Sequence, residues 1–326
     1  MSESWSNWHD QSEWDAALRR VSSTEPEFQP LLREFMDWSR FDRGLQACTI
    51  HHGLRYARDF LARVSAGEDP VAALRGLTVD HIESFFVQIT RGKGDRTRRA
   101  FQTVLRRLLR FTNHKGWTDP QLLDAVPSVR TYRLAHVVRG IDDDKIHALL
   151  TSLPDSTPAE VRDRAILVML AVYGVRSGQL GRLRLEHLRW KEKRILFPAH
   201  KGGKPVLHVL LPQVAHPLAH YLREVRPDSP YREIFLTCRK PYTPLSPSIM
   251  SMRVRICLAR AGIETSPTGA HIFRHAFAIR LLRQHCDLKT IADLLGHRDL
   301  GSVAIYTKVD ELALREVCTE WLEVLE

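Results

Sequence analysis

The sequence predicts a mainly α-helical protein in two domains, with one small antiparallel β-sheet in the second. Three observations carry this. The 326 residues exceed one ordinary core and suit two domains of about 100–200 residues each. Apolar residues recur at helical spacing through LLREFMDWS, HHGLRYARDFLARV, TVDHIESFFVQI and the run from Thr97 to His114, where nothing alternates like a strand. A single strand–turn–strand pattern, RILFPA and VLHVLLP on either side of His200-Lys201-Gly202-Gly203-Lys204-Pro205, reads as a hairpin around a Gly-Gly turn.

Taken in order, residues 1–27 set Trp5, Trp8 and Trp14 in a polar Ser/Asp/Glu background without a sustained apolar face. They read as a flexible N-terminal arm or a short docking helix. Residues 28–118 form the first helical domain. Residues 119–140, rich in Pro, Arg and Val and without clear period, read as a linker. The second domain, 141–326, opens with the acidic cluster of IDDDKIHALLTSL, and Pro158 occupies a first-turn position before VRDRAILVMLAVYG. Beyond the hairpin, helices are expected at about 213–225, 247–261, 270–285, 287–295, 300–308 and 310–325.

Composition narrows the function. Apolar residues at 44% and charged residues at 26% exclude wholesale disorder. A formal charge of +10, from 48 Lys and Arg against 38 Asp and Glu, favours a polyanionic partner, although a merely basic soluble protein would look the same. Five scattered cysteines without a C-x-x-C pair read as reduced thiols. The N-terminus has no signal-peptide pattern, and the longest apolar stretch, Ala165 to Val175, is too short to span a bilayer. The expectation is a soluble cytoplasmic protein with no membrane partner, nucleoid-associated when bound to DNA.

Several residues stand out for their chemistry. In TGAHIFRHAFAIRLLRQH, His271 and Arg274 are spaced to project from one helix face, and the apolar neighbours of Arg274 require an anionic partner for it, a ligand or a carboxylate. Arg176 follows an apolar helix and Gly174, which can cap that helix; Ser177 could cap the next, leaving free N–H groups near a guanidinium suited to gripping two phosphate oxygens. Lys201 at the hairpin can reach across a groove and donate a proton; Lys204 is its competitor, and an ordinary solvated turn is the plain alternative. Gly296-His297 closes an amphipathic turn, and Tyr306 follows nine residues later. Metal binding by the i,i+4 pairs His216/His220 and His271/His275 is disfavoured, because neither has an H-E-x-x-H pattern or a nearby carboxylate–cysteine set.

In order and spacing, Arg176, Lys201, His271-x-x-Arg274, Gly296-His297 and Tyr306, with the wording GVRSGQL, HIFRHAFA, LLGH and YT, resemble the tyrosine recombinases, or phage integrases. The likeness spans about residues 142–310. It implies that Tyr306 attacks a DNA phosphate to form a 3′-phosphotyrosyl link, that Arg176 and Arg274 clamp the non-bridging oxygens, and that His271 serves as base or orienting group. Lys201 would protonate the departing 5′-oxygen and His297 would hydrogen-bond the phosphate. No cofactor or metal enters this scheme. Gln179 departs from the pattern, standing where many relatives carry an acidic residue.

In the first domain, RGKGDRTRRAFQTVLRRLLRFTNHKG sets Arg91, Lys93, Arg96, Arg98, Arg99, Arg106, Arg107 and Arg110 against the single acid Asp95. Ala100, Phe101, Val104, Leu105, Leu108 and Leu109 form the strip expected to pack inward; Arg99, Arg106 and Arg110 are expected on the opposite face. The DNA-binding candidates are Arg91, Lys93, Arg96, Arg98, Arg99, Arg106 and Arg110; a solvated charged face is the alternative. The resemblance implies that this core-binding domain and the catalytic domain close as a C-shaped clamp on double-stranded DNA, and that a homo-tetramer forms on paired sites and exchanges strands through a Holliday junction, with accessory DNA-binding proteins possible. The C-terminal helix, 310–325, packs on its own domain or on a neighbour. A type IB topoisomerase and a catalytically silent DNA-binding regulator are the rival readings.

Overall fold

The computed structural model describes residues 11–23, 25–130, 140–199, 203–265 and 269–297. Lys201, Tyr306, residues 131–139 of the expected linker and the helices expected at 300–308 and 310–325 lie outside the described residues. The chain forms two compact units, one spanning Trp5–Ala135 and the other running from His136 onward.

The first unit is helical: α1 (Gln11–Val21), α2 (Gln29–Asp37, prolonged by a π turn over Trp38–Asp42), α3 (Ala47–Ser65), α4 (Pro70–Arg75), α5 (Val79–Thr90) and α6 (Asp95–His114). Local chemistry sets several starts. Asp69 accepts the Ala72 N–H at 2.8 Å ahead of Pro70, and Thr78 and His81 cap each other reciprocally at the head of α5. Leu32, Phe35, Met36, Leu54, Phe60, Phe86, Leu108 and Phe111 fill the core.

Three expectations need correction here. Residues 11–23 are not a flexible arm: Trp14, Ala17, Leu18 and Val21 recur at i, i+3, i+4 and i+7 and bury one face of α1, a stripe hidden in the sequence by the polar residues between them. The stretch after Asp119 begins as part of this unit, because a short 3₁₀ turn at Pro120–Leu123 lays Leu122 and Val126 into the core. Within the α6 strip, Ala100 is exposed, while Gln102, Phe111 and Thr112 are buried with the larger apolar residues.

The second unit wraps around α8 (Pro158–Tyr173), which follows α7 (Asp143–Ser152). Thr157 accepts the Glu160 N–H and Glu160 returns the bond to the Thr157 N–H, so the Thr-Pro-x-Glu start is fully capped. Val161, Ala165, Ile166, Met169, Leu170 and Tyr173 are buried, which makes α8 a core helix. It ends at Gly174, whose φ of +59° and 2.8 Å approach to Phe277 leave no room for a Cβ. One buried ion pair sits inside: Arg162 Nη2 is 2.8 Å from Asp163, whose other carboxylate oxygen accepts from Arg253 at 2.6 Å.

After α9 (Ser177–Leu180) come β1 (Leu188–Arg189), β2 (Arg194–Phe197) and β3 (Val206–Val209), an antiparallel sheet in the order β1-β2-β3 with Ile195 opposite His208 and Phe197 opposite Val206. The hairpin is as expected in its strands, and β1, only two residues long, adds an edge that no alternation announces. Ile195 and Phe197 face the core while Leu207 and Val209 face outward. Helices α10 (Pro212–His220, continuing in a π turn to Val225), α11 (Pro247–Arg260), α12 (His271–Arg283) and α13 (Leu288–Leu295) complete the unit. Helix α8 packs against α7, α10, α11 and α12, and α13 packs on α12 and β3.

Candidate active site

Arg176 stands just past the end of α8 in extended conformation, and its backbone caps α9. Gln179 reaches back with Oε1 to accept the Arg176 N–H at 3.1 Å. Ser177 is therefore the first residue of α9, in contrast to its expected role as cap; the chain needs the extended residue one position earlier to turn out of Gly174. Arg176 itself is half-buried.

Helix α12 begins at His271, which is exposed, and carries Arg274 one turn further on at 3% exposure. Two guanidinium donors of Arg274 go to helix ends. Nη1 donates to the Gly174 carbonyl at 3.0 Å and Nη2 to the Leu295 carbonyl at 2.8 Å. The last carbonyls of a helix have no partner within it and form the negative end of its dipole, so the C-termini of α8 and α13 stabilise a buried cation there. Gly174 lies two residues before Arg176, and Leu295 two residues before His297. One side chain thereby gathers the segments of Arg176, His271/Arg274 and His297.

His297 follows Gly296, which takes a φ of +63° and whose Cβ would fall 2.8 Å from Val206. His275, the residue after Arg274, is held down to about 4 by burial, by His271 and by Arg274, so it is neutral at pH 7.

Gln179, 2% exposed, has a second bond: its Nε2 donates to the Pro198 carbonyl at 3.3 Å, and Arg182 Nη2 donates to the Ala199 carbonyl at 2.7 Å. The chain leaving β2 toward residue 201 is thus fastened to the Arg176 segment. The departure at Gln179 is chemically specific, because a carboxylate could accept from Arg176 but could not donate to Pro198. Arg182 escapes sequence reading, since nothing local marks a bond that spans 17 residues.

The basic face of the first unit follows expectation only in part. Arg91, Lys93, Arg96, Arg98, Arg99 and Arg110 are exposed. Lys93 lies 5.0 Å over the Phe101 ring, and Arg98 is 3.7 Å from Asp95. Arg106, by contrast, is half-buried and donates to the Val126 carbonyl at 3.1 Å, because the chain after α6 folds back along that side. Burial also pulls Arg107 below the usual guanidinium range. Among the described residues no three His, Cys, Asp or Glu side chains are grouped to hold a metal ion, and His216 and His220 are exposed. No described helix is long and apolar enough to cross a membrane.

Comparison with known proteins places the chain in a family. Residues 139–312 match the model of the phage integrase family. The chain is 33% identical over 282 residues to the integrase/recombinase y4rA of Sinorhizobium fredii (strain NBRC 101917 / NGR234), covering 86% of this chain and 68% of that protein. It is 28% identical over 295 residues to tyrosine recombinase XerD of Listeria monocytogenes serotype 4b (strain F2365), covering 88% and 96%. In fold it is similar to the XerH site-specific recombinase solved in a post-cleavage complex with its palindromic difH substrate, with a TM-score of 0.69 at 19% identity over 98% of this chain and 91% of that one. With the family model matched over more than half its length, this chain belongs to the phage integrase family, the tyrosine recombinases.

Proposed function

We propose that this chain is a site-specific DNA recombinase that cuts and rejoins strands with Tyr306 as nucleophile. The observation that carries the reading is Arg274, buried at the meeting point of three motif-bearing segments by its bonds to Gly174 and Leu295. In the reaction the Tyr306 Oη forms a bond to a backbone phosphorus while the bond from phosphorus to the 5′-oxygen breaks. The phenol proton passes toward His271, and Lys201 supplies the proton that the leaving 5′-oxygen takes up. Arg176 and Arg274 bind the non-bridging oxygens and stabilise the charge that gathers on them; His297 adds a hydrogen bond to the same phosphate. The phosphotyrosyl ester conserves the energy of the broken bond, so rejoining needs no nucleotide. The cationic side chains supply the positive charge, and no step runs through a metal or cofactor.

The exposed cations at and before α6 supply phosphate contacts that hold a duplex in register, and both units engage one DNA. Strand exchange by a tetramer on paired sites, through a Holliday junction, completes the proposal; mobile-element DNA in the cytoplasm and accessory DNA-binding proteins belong to the same reading. A plasmid carrying two copies of the recognition site, recovered by selecting bound duplexes from a random pool, tests it. Deletion or inversion between the sites is expected. Relaxation of supercoils with no exchange would establish a topoisomerase, and binding with neither outcome a DNA-binding regulator.

A further inference from the structure

The end of α13 leaves four carbonyls without partners in the helix, at Ala292, Asp293, Leu294 and Leu295. Each is accounted for. The His297 N–H donates to Ala292 at 2.8 Å and the Gly296 N–H to Asp293 at 3.1 Å, a Schellman turn. Arg274 takes Leu295. The Leu294 carbonyl lies 3.2 Å from Nε2 of His208, a residue of β3 that is 86 positions away in the chain.

His208 is built for this contact. Its ring lies against Tyr173 and Phe197, with centroids 5.1 Å and 5.6 Å apart, and the Tyr173 hydroxyl fixes the strand by donating to the Val209 carbonyl at 2.8 Å. Burial lowers the imidazole below its ordinary range and favours the neutral ring. Because a carbonyl can only accept, the tautomer in this contact carries its proton on Nε2. Val206, on the same strand, packs where Gly296 has no side chain.

We infer that His208 is a positioning residue for the strand-cleavage reaction, holding the last turn of α13 through Leu294 so that His297 meets the phosphate in one orientation. The inference rests on the role proposed for His297. Without the bond the Schellman turn still forms, but of the side-chain hydrogen bonds to the end of α13 described above only that of Arg274 remains, and the last turn is held less firmly.

The test is single-turnover formation of the covalent adduct on a nicked duplex at saturating protein, with duplex affinity measured in parallel. His208→Phe and His208→Leu, two donor-less side chains of different shape, should each cleave about tenfold more slowly, the effect of one lost hydrogen bond, with affinity held within about twofold. His208→Gln, whose amide restores a donor, should recover to within about threefold of the unaltered rate. In a His297→Ala background the donor-less changes should cost nothing more. Full-speed cleavage by both donor-less variants, failure of His208→Gln to recover, or an undiminished loss in the His297→Ala background would each overturn the inference. If His297→Ala alone cleaves at full speed, the role of His297 falls, and the positioning of it falls as a consequence.

Discussion

The candidate residues of the two units carry positive charge in opposite ways. In the first, Arg91, Lys93, Arg96, Arg98, Arg99 and Arg110 stand exposed around the start and along one side of α6. In the second, Arg274 is 3% exposed and two of its donors are fixed on the ends of α8 and α13. Exposed cations act by number: each adds a screened attraction to phosphate and can be replaced by a neighbour. A buried guanidinium acts by position, and no neighbour can take its place. Binding and chemistry should therefore separate cleanly between the units.

The largest break in this contrast should come from Arg274. Arg274→Ala should lower the rate of adduct formation by about a thousandfold or more while duplex affinity changes little, since transition-state charge loses a preorganised donor. Arg274→Lys keeps the charge but not the planar fork that spans two carbonyls, and should be nearly as slow. Single-turnover cleavage beside a binding isotherm measures both. Each change should also lower thermal stability, because two helix-end carbonyls are left buried without a donor.

The second-largest effect concerns pH. His275 titrates near 4 in the folded protein and near 6.5 when unfolded, so between these values the unfolded chain binds the extra proton. Its contribution to stability is complete above about pH 6.5 and is lost as pH falls toward 4, by at most about 3 kcal/mol before solvent screening reduces it. Denaturant midpoints at pH 7 and pH 4.5 should show the loss, and His275→Gln should remove a corresponding part of it.

Gln179→Glu should have a smaller and conditional effect. At pH 8 the carboxylate would face the Pro198 carbonyl, and cleavage should slow by about tenfold. As pH falls and the buried carboxyl takes up a proton it can donate again, so the ratio to the unaltered protein at the same pH should rise. A ratio that stays flat with pH would remove the Pro198 bond from the account.

The smallest effects belong to α6. Arg96→Ala or Arg110→Ala should weaken duplex binding less than about tenfold, reduce the salt slope by about one, and leave cleavage at saturation unchanged. Arg106→Ala should behave differently, lowering stability by about 1 kcal/mol through the lost bond to Val126 without altering the slope.

Much of this was readable in the sequence where the signal is local. Pro158, Gly174 and Gly296 marked helix ends because each residue type answers a backbone need within one turn. The family likeness came from the order of separately weak motifs. What escaped depends on residues far apart in the chain. The Arg274 bonds to Gly174 and Leu295 span 100 and 21 positions, and Arg106 reads as a free cation until the chain after α6 returns to it. Helix α1 stayed one of two readings, beside a flexible arm, for another reason: four apolar residues suffice to dock a helix of 11, and they are diluted by polar neighbours. Ser177 suited a cap by type, yet the turn out of Gly174 placed Arg176 there instead.

The central claim is that Tyr306 becomes covalently joined to DNA at the site built around Arg274. Incubation with a nicked suicide duplex bearing the recognition site, followed by a denaturing gel, measures this directly. The unaltered protein should form a protein–DNA adduct that protease treatment destroys, and Tyr306→Phe should form none while still binding the duplex. An adduct that persists in Tyr306→Phe would assign the nucleophile elsewhere, and no adduct from the unaltered protein on its verified site would contradict strand cleavage itself.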